Sequence, residues 1–142
     1  MKAFRTLLLA ALVAISSGAR ADPTYQCKSD GARIHQLRIY ELNPSNRDPF
    51  HRRFQDHALP IMKRHGFDIV DMWESRTDSK VQFVYVLAWP DEGTMERRWE
   101  SFLADPEWID IKRRSAAEHG ELVRETHGQP LVRVSYSPAC TG

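Results

Sequence analysis

The chain has 142 residues, 42% of them hydrophobic and 27% charged, with a formal charge of +1. That length suits about one domain, and the near-neutral charge excludes binding to nucleic acid or an anionic membrane through bulk charge. Four Trp, four Tyr and six Phe exclude a disordered chain.

Lys2 and Arg5 precede an uncharged apolar run over residues 7–15, followed by Ser16-Ser17-Gly18 and the small-x-small sequence Ala19-Arg20-Ala21. This pattern predicts a signal peptide over residues 1–21, cleaved after Ala21, and a secreted or periplasmic protein. The run is short of the roughly 20 residues that span a bilayer, so no membrane association is expected after cleavage. Without the leader the hydrophobic fraction falls to about 37%. That is lean for a small domain, which then needs a covalent staple or a second chain. Cys27 and Cys140 stand near the two ends. In an oxidising compartment they predict a disulfide pinning both tails, with unpaired thiols or an intermolecular bridge as the alternatives. The absence of Cys-x-x-Cys argues against a redox enzyme.

Residues 22–33 are a polar N-terminal segment, and the folded domain is expected over 34–138. Residues 34–42 (IHQLRIYEL) alternate as a strand. Asp48-Pro49 predicts the cap and first residue of a helix, Gly66 its end, and Pro60 a kink within it. Residues 67–75 and 81–89 (VQFVYVLAW) read as the second and third strands. The third is apolar on both faces. Asp91 caps a helix with Met95, Trp99 and Phe102 as its inward stripe. Asp105-Pro106 starts another, carrying Trp108 and Ile111 and ending near Gly120. Residues 131–137 (LVRVSYS) are expected to form the last strand, after a short strand piece at Leu122-Val123 broken by Gly128-Gln129-Pro130.

The order β-α-β-β-α-β predicts an α+β, ferredoxin-like fold: a four-stranded antiparallel sheet with helices on one face. The apolar third strand then calls for cover on the other face. A second copy packed sheet against sheet is the economical answer, giving a homodimer.

Leu37-Arg38-x-Tyr40, His57-Ala58-Leu59-Pro60, His65-Gly66-Phe67, Trp73 and Asp105-Pro106-Glu107-Trp108 occur in order along residues 34–137. In this the chain resembles the NIPSNAP family of the dimeric α/β-barrel superfamily. Where family members often carry His-x-Trp in the third strand, Tyr85 and Leu87 stand here. The resemblance implies a sheet-to-sheet dimer enclosing a barrel-like space. It implies no single reaction.

In strand 1, Leu37 and Ile39 suit the helix-covered face, which turns Gln36, Arg38 and Tyr40 toward the expected dimer cavity. Arg38 reads as a clamp for an anion or carboxylate, with Tyr40 beside it. The alternative is a structural ion pair with Glu41 or Glu74 of either subunit. Trp73 and Tyr85 are candidates to line the same cavity, or core aromatics. His57 is a candidate acid–base group, or a packed or surface histidine. The six histidines form neither His-Glu-x-x-His nor His-x-His, so no metal site and no cofactor is expected. There is no Gly-rich phosphate loop and no Gly-x-Ser-x-Gly elbow. Lys112-Arg113-Arg114 reads as a solvated helix face. Three functions fit this pattern. One is a homodimeric module holding a small ligand. The second is a cofactor-independent monooxygenase acting on an acidic phenol. The third is a protein-interaction domain using its exposed helices.

Overall fold

The computed structural model describes residues 34–78, 80–134 and 136–138. The expected signal peptide, the 22–33 segment, Cys27 and Cys140 lie outside the described residues. Strand β1 (Ile34–Leu42) leads through a 3-10 turn (Pro44–Asn46) into a helical rod. The rod is built of α1 (Arg47–Arg53), a π-helical turn (Phe54–Ala58) and α2 (Leu59–Arg64). Strands β2 (Asp68–Arg76) and β3 (Val81–Trp89) follow, then α3 (Glu92–Leu103), α4 (Pro106–His119) and β4 (Val123–Leu131). The four strands form one antiparallel sheet in the order β2-β3-β1-β4. This is the ferredoxin-like plan expected from the sequence, with helices on one face. Among the described residues no helix is long and apolar enough to cross a membrane.

Several local signals act as read. The Asp91 side chain accepts from the Thr94 amide at 2.7 Å, and Asp105 accepts from those of Glu107 (2.9 Å) and Trp108 (3.2 Å). Gly66 and Gly120 close α2 and α4 at φ of 77° and 72°, a region that glycine enters without penalty. Others differ. Helix α1 begins at Arg47, one residue before Asp48. Its N-cap, Asn46, spends its side chain on the carbonyls of His119 (2.9 Å) and Glu121 (3.0 Å), tying the rod to the end of α4. Pro60 lies within the rod, and the chain accommodates it with the π-helical turn. The Leu59 amide reaches back five residues to the Phe54 carbonyl, and Pro60 falls in the first turn of α2, where its missing N–H is not needed.

The last strand is the largest departure. Strand β4 runs through Gly128-Gln129-Pro130 and ends at Leu131; Val132 and Val134 are exposed beyond it. Leu131 already meets His35, the second residue of β1, so pairing with the described β1 ends there. Pro130 is tolerated because β4 is an edge strand, where an N–H can be dispensed with.

The core lies between sheet and helices. Phe83, Tyr85, Leu87 and Trp89 of β3 point into it and meet Phe50, Phe54, Phe67 and Phe102. Close ring contacts include Phe54–Phe83 at 4.6 Å and Phe67–Trp89 at 4.9 Å. Arg38 stands opposite Tyr85, and Tyr40 opposite Phe83. Gln36, Arg38 and Tyr40 therefore face the helices, the reverse of the sequence expectation. Leu37 and Ile39, opposite Val86 and Val84, lie on the uncovered face. Alternation fixes which residues share a face but not which face is covered. Here the helices cover the more polar row because they supply partners, among them Trp99, whose Nε1 donates to Gln36 Oε1 at 2.8 Å.

Glu74 on β2 anchors α1. It accepts from Arg47 Nε at 2.8 Å, pairs with His51 Nε2 at 2.6 Å, and also bonds Arg76. Burial alone would raise its carboxyl, but Arg76, His51 and Arg47 together bring it down to about 2. The folded value lies below the unfolded one of about 4.3. Stability from Glu74 is therefore complete above that pH and is lost as pH falls toward 2. Acid titration followed by circular dichroism should show this, and Glu74→Gln should be less stable at pH 7 with a flatter acid limb.

Candidate functional site

Alternation on β1 and the α3–α4 corner together create a cavity of about 460 Å³ between sheet and helices. Its sheet wall is Gln36, Arg38 and Tyr40 of β1 with Val123 and Thr126 of β4. Its helical wall is Trp99, Phe102 and Leu103 of α3, Trp108 and Lys112 of α4, and Arg53 of α1. Volume and lining fit a small-molecule pocket, mostly apolar with a few convergent polar groups.

Among the described residues, three cations line this cavity and no carboxylate does. The Arg38 guanidinium lies over the Trp99 ring at 4.7 Å and over Tyr40 at 5.5 Å. Its Nε is buried without a hydrogen-bond partner among the described residues. Burial works against its charge, but the Tyr40 and Tyr85 hydroxyls beside it hold the guanidinium above its ordinary value. Arg53 sits 5.5 Å and Lys112 5.7 Å from the Trp108 ring centroid. Arg53 donates to Ser115 Oγ at 2.9 Å, and burial lowers its pKa. An arginine stays protonated regardless.

Several cations elsewhere are paired with carboxylates. Arg47 and Arg76 hold Glu74, Arg64 holds Asp105, and Arg113 and Arg114 hold Asp110. Glu41 and Glu74, the two acids that would neutralise Arg38, are engaged elsewhere: Glu41 by Lys80 (3.1 Å) and Arg124 (3.5 Å), Glu74 by Arg47, His51 and Arg76. Within this chain, neither acid pairs with Arg38.

Tyr40, in the cavity wall, is joined to a second phenol buried behind it. Tyr40 and Tyr85 share a hydrogen bond of 2.7 Å between their hydroxyls, with rings 5.4 Å apart and edge to face. Tyr85 is fully buried. Burial pushes its phenol well above the ordinary value, Tyr40 adds to this, and Arg38 opposes it.

Three of the five residues proposed from sequence thus come together: Arg38, Tyr40 and Tyr85. Trp73 does not join them. It pairs with Val84 on the uncovered face of the sheet and is 51% exposed. His57 lines a different cavity, about 300 Å³ between the rod and α4. There Asp56 and Glu118 accompany Arg52, Arg53 and Arg114, so charge of both signs is present. Among the described residues no group of three His, Cys, Asp or Glu gathers to hold a metal.

Sequence reasoning missed Arg53, Trp99, Trp108 and Lys112 as site residues. Lys112 carried a signal: it lies four residues after Trp108, one turn along the same face of α4. The basic run 112–114 reads as one solvated face, but Arg113 and Arg114 face Asp110 while Lys112 faces the cavity.

Solved structures with this fold include a NIPSNAP-like domain protein from Burkholderia xenovorans, with 24% identity and a TM-score of 0.63. The alignment covers 74% of this chain and 88% of that one. A NIPSNAP family protein from Agrobacterium tumefaciens aligns at 17% identity and a TM-score of 0.65, covering 78% and 96%. A monooxygenase from Streptomyces coelicolor, in complex with nanaomycin D, aligns at 7% identity and a TM-score of 0.50, covering 75% and 91%. At these identities the likeness is one of fold. No curated protein matches the chain in sequence. The NIPSNAP family model matches residues 35–138, nearly all of the folded domain, and the chain therefore belongs to the NIPSNAP family.

Proposed function

We propose that this NIPSNAP protein binds a small aromatic anion, a carboxylate or phenolate, in the cavity between its sheet and its helices. One observation carries the reading: three cations and two tryptophans line a single cavity that contains no carboxylate among the described residues. A buried charge without a partner is costly, and a planar guanidinium laid on aromatic rings is a natural receptor for a flat acid. The ligand occupies this cavity rather than an inter-sheet space, because Arg38 and Tyr40 face the helices. Thermal unfolding with naphthalene-2-carboxylate tests it. A ligand at 100 times its Kd stabilises by about 2.7 kcal/mol. No shift with that acid or with other aromatic carboxylates and phenolates overturns the proposal.

The protein acts, in this reading, as an exported homodimer. Its uncovered sheet face presents Leu37, Ile39, Val84 and Val86, with Trp73 half exposed among them. A second copy laid on this face would bury them. Trp73→Glu should convert a species of twice the chain mass in light scattering to a single chain; a wild-type monomer at micromolar concentration removes the dimer.

A second reading is favoured by the Tyr40–Tyr85 hydroxyl pair beside Arg38. A phenol bound there would ionise readily, and its phenolate would react directly with dioxygen: phenol and O2 give quinone and water. This is monooxygenase chemistry, which the Streptomyces coelicolor protein shares in name and this chain matches in fold. Oxygen uptake with polycyclic phenols separates turnover from binding alone.

A further inference from the structure

We infer that the cavity is two-ended and selects a planar ring system carrying an acidic group at each end. The inference rests on the anion-binding reading above and specifies its ligand class. Trp99, Phe102 and Trp108 form a continuous aromatic shelf. Phe102 meets Trp99 edge to face, 5.9 Å away with 75° between the planes, and stacks on Trp108 at 5.2 Å, with 27° between the planes. A cation stands over each end of the shelf. Arg38 covers Trp99 at 4.7 Å, and Arg53 and Lys112 stand by Trp108 at 5.5 and 5.7 Å. One carboxylate placed on Arg38 leaves two cations at the far end uncompensated, in a cavity without acids. A second acidic group at the other end of the ring system satisfies them and adds a charge-assisted bond. The shelf turns between Trp99 and Phe102, and its stacked Phe102–Trp108 half accepts a flat aromatic ring; the ligand must be long enough to reach from one tryptophan to the other.

Calorimetric titration of the full folded chain with two probes tests this. Naphthalene-2,6-dicarboxylate is expected to bind at least tenfold more tightly than naphthalene-2-carboxylate. Lys112→Met, at a partly exposed helix position, is expected to weaken the diacid severalfold more than the monoacid. Equal affinity for the two probes, or an equal effect of Lys112→Met on both, overturns the two-ended site while the anion-binding reading stands. Binding of neither probe overturns that reading and this inference with it.

Discussion

Replacement of Arg38 by methionine is expected to abolish tight binding of aromatic anions while leaving the unliganded protein as stable as before, or more so. The two effects have separate causes. Losing one partner of a desolvated charge pair costs about 2–5 kcal/mol of binding, which is about thirtyfold or more in Kd. In the unliganded protein Arg38 has no such partner among the described residues. Its Nε is buried and unbonded, and only the rings of Trp99 and Tyr40 and the nearby hydroxyls compensate it. Replacing a buried charge that lacks an ionic partner with an apolar side chain of similar length is often neutral or stabilising. Such opposition between stability and function is what a binding residue produces and a structural one does not. The checks are calorimetric titration with naphthalene-2-carboxylate and urea unfolding of the same two proteins. A variant that binds as well as the parent and unfolds more easily would make Arg38 a scaffold residue and remove it from the site.

Much of the fold was legible in the sequence because its signals are local. Asp91 and Asp105 cap helices through their own side chains, and Gly66 and Gly120 sit at positive φ. Strand β3 spans the residues its pattern predicts, 81–89. What failed depends on distant partners. The alternation of β1 placed Arg38 and Tyr40 on one face correctly, yet only the register with β3 shows that the helices cover that face. The run at 131–137 has strand chemistry but runs past the end of the described β1, while Gly128-Gln129-Pro130 lacks that chemistry and is paired. The site was half legible for the same reason. Arg38, Tyr40 and Tyr85 are brought together by strand pairing. Arg53, Trp99, Trp108 and Lys112 arrive from three helices, whose packing no single segment encodes.

Gly128 ties these strands to the site, and its substitution is the sharpest test of the cavity's construction. It pairs with Arg38 across β1 and β4. A Cβ there would collide with Arg38 Nη1 and come within 3.1 Å of Cζ and 3.3 Å of Cδ. The bare backbone is thus the space in which the guanidinium lies. Strand propensity pulls the other way: a glycine inside a strand costs roughly 0.5–1 kcal/mol relative to alanine, so alanine would ordinarily strengthen this edge. The clash falls mainly on the far end of a flexible side chain, which can swing aside. Gly128→Ala is therefore expected to fold with near-parental stability but with Arg38 displaced from Trp99. Its affinity for naphthalene-2-carboxylate should fall toward that of Arg38→Met. The double variant should then bind no worse than Arg38→Met alone, because both changes remove the same interaction. Additive losses in that cycle would mean that Gly128 acts on the cavity by another route, and full affinity in Gly128→Ala would mean that the position of Arg38 over Trp99 does not matter to binding.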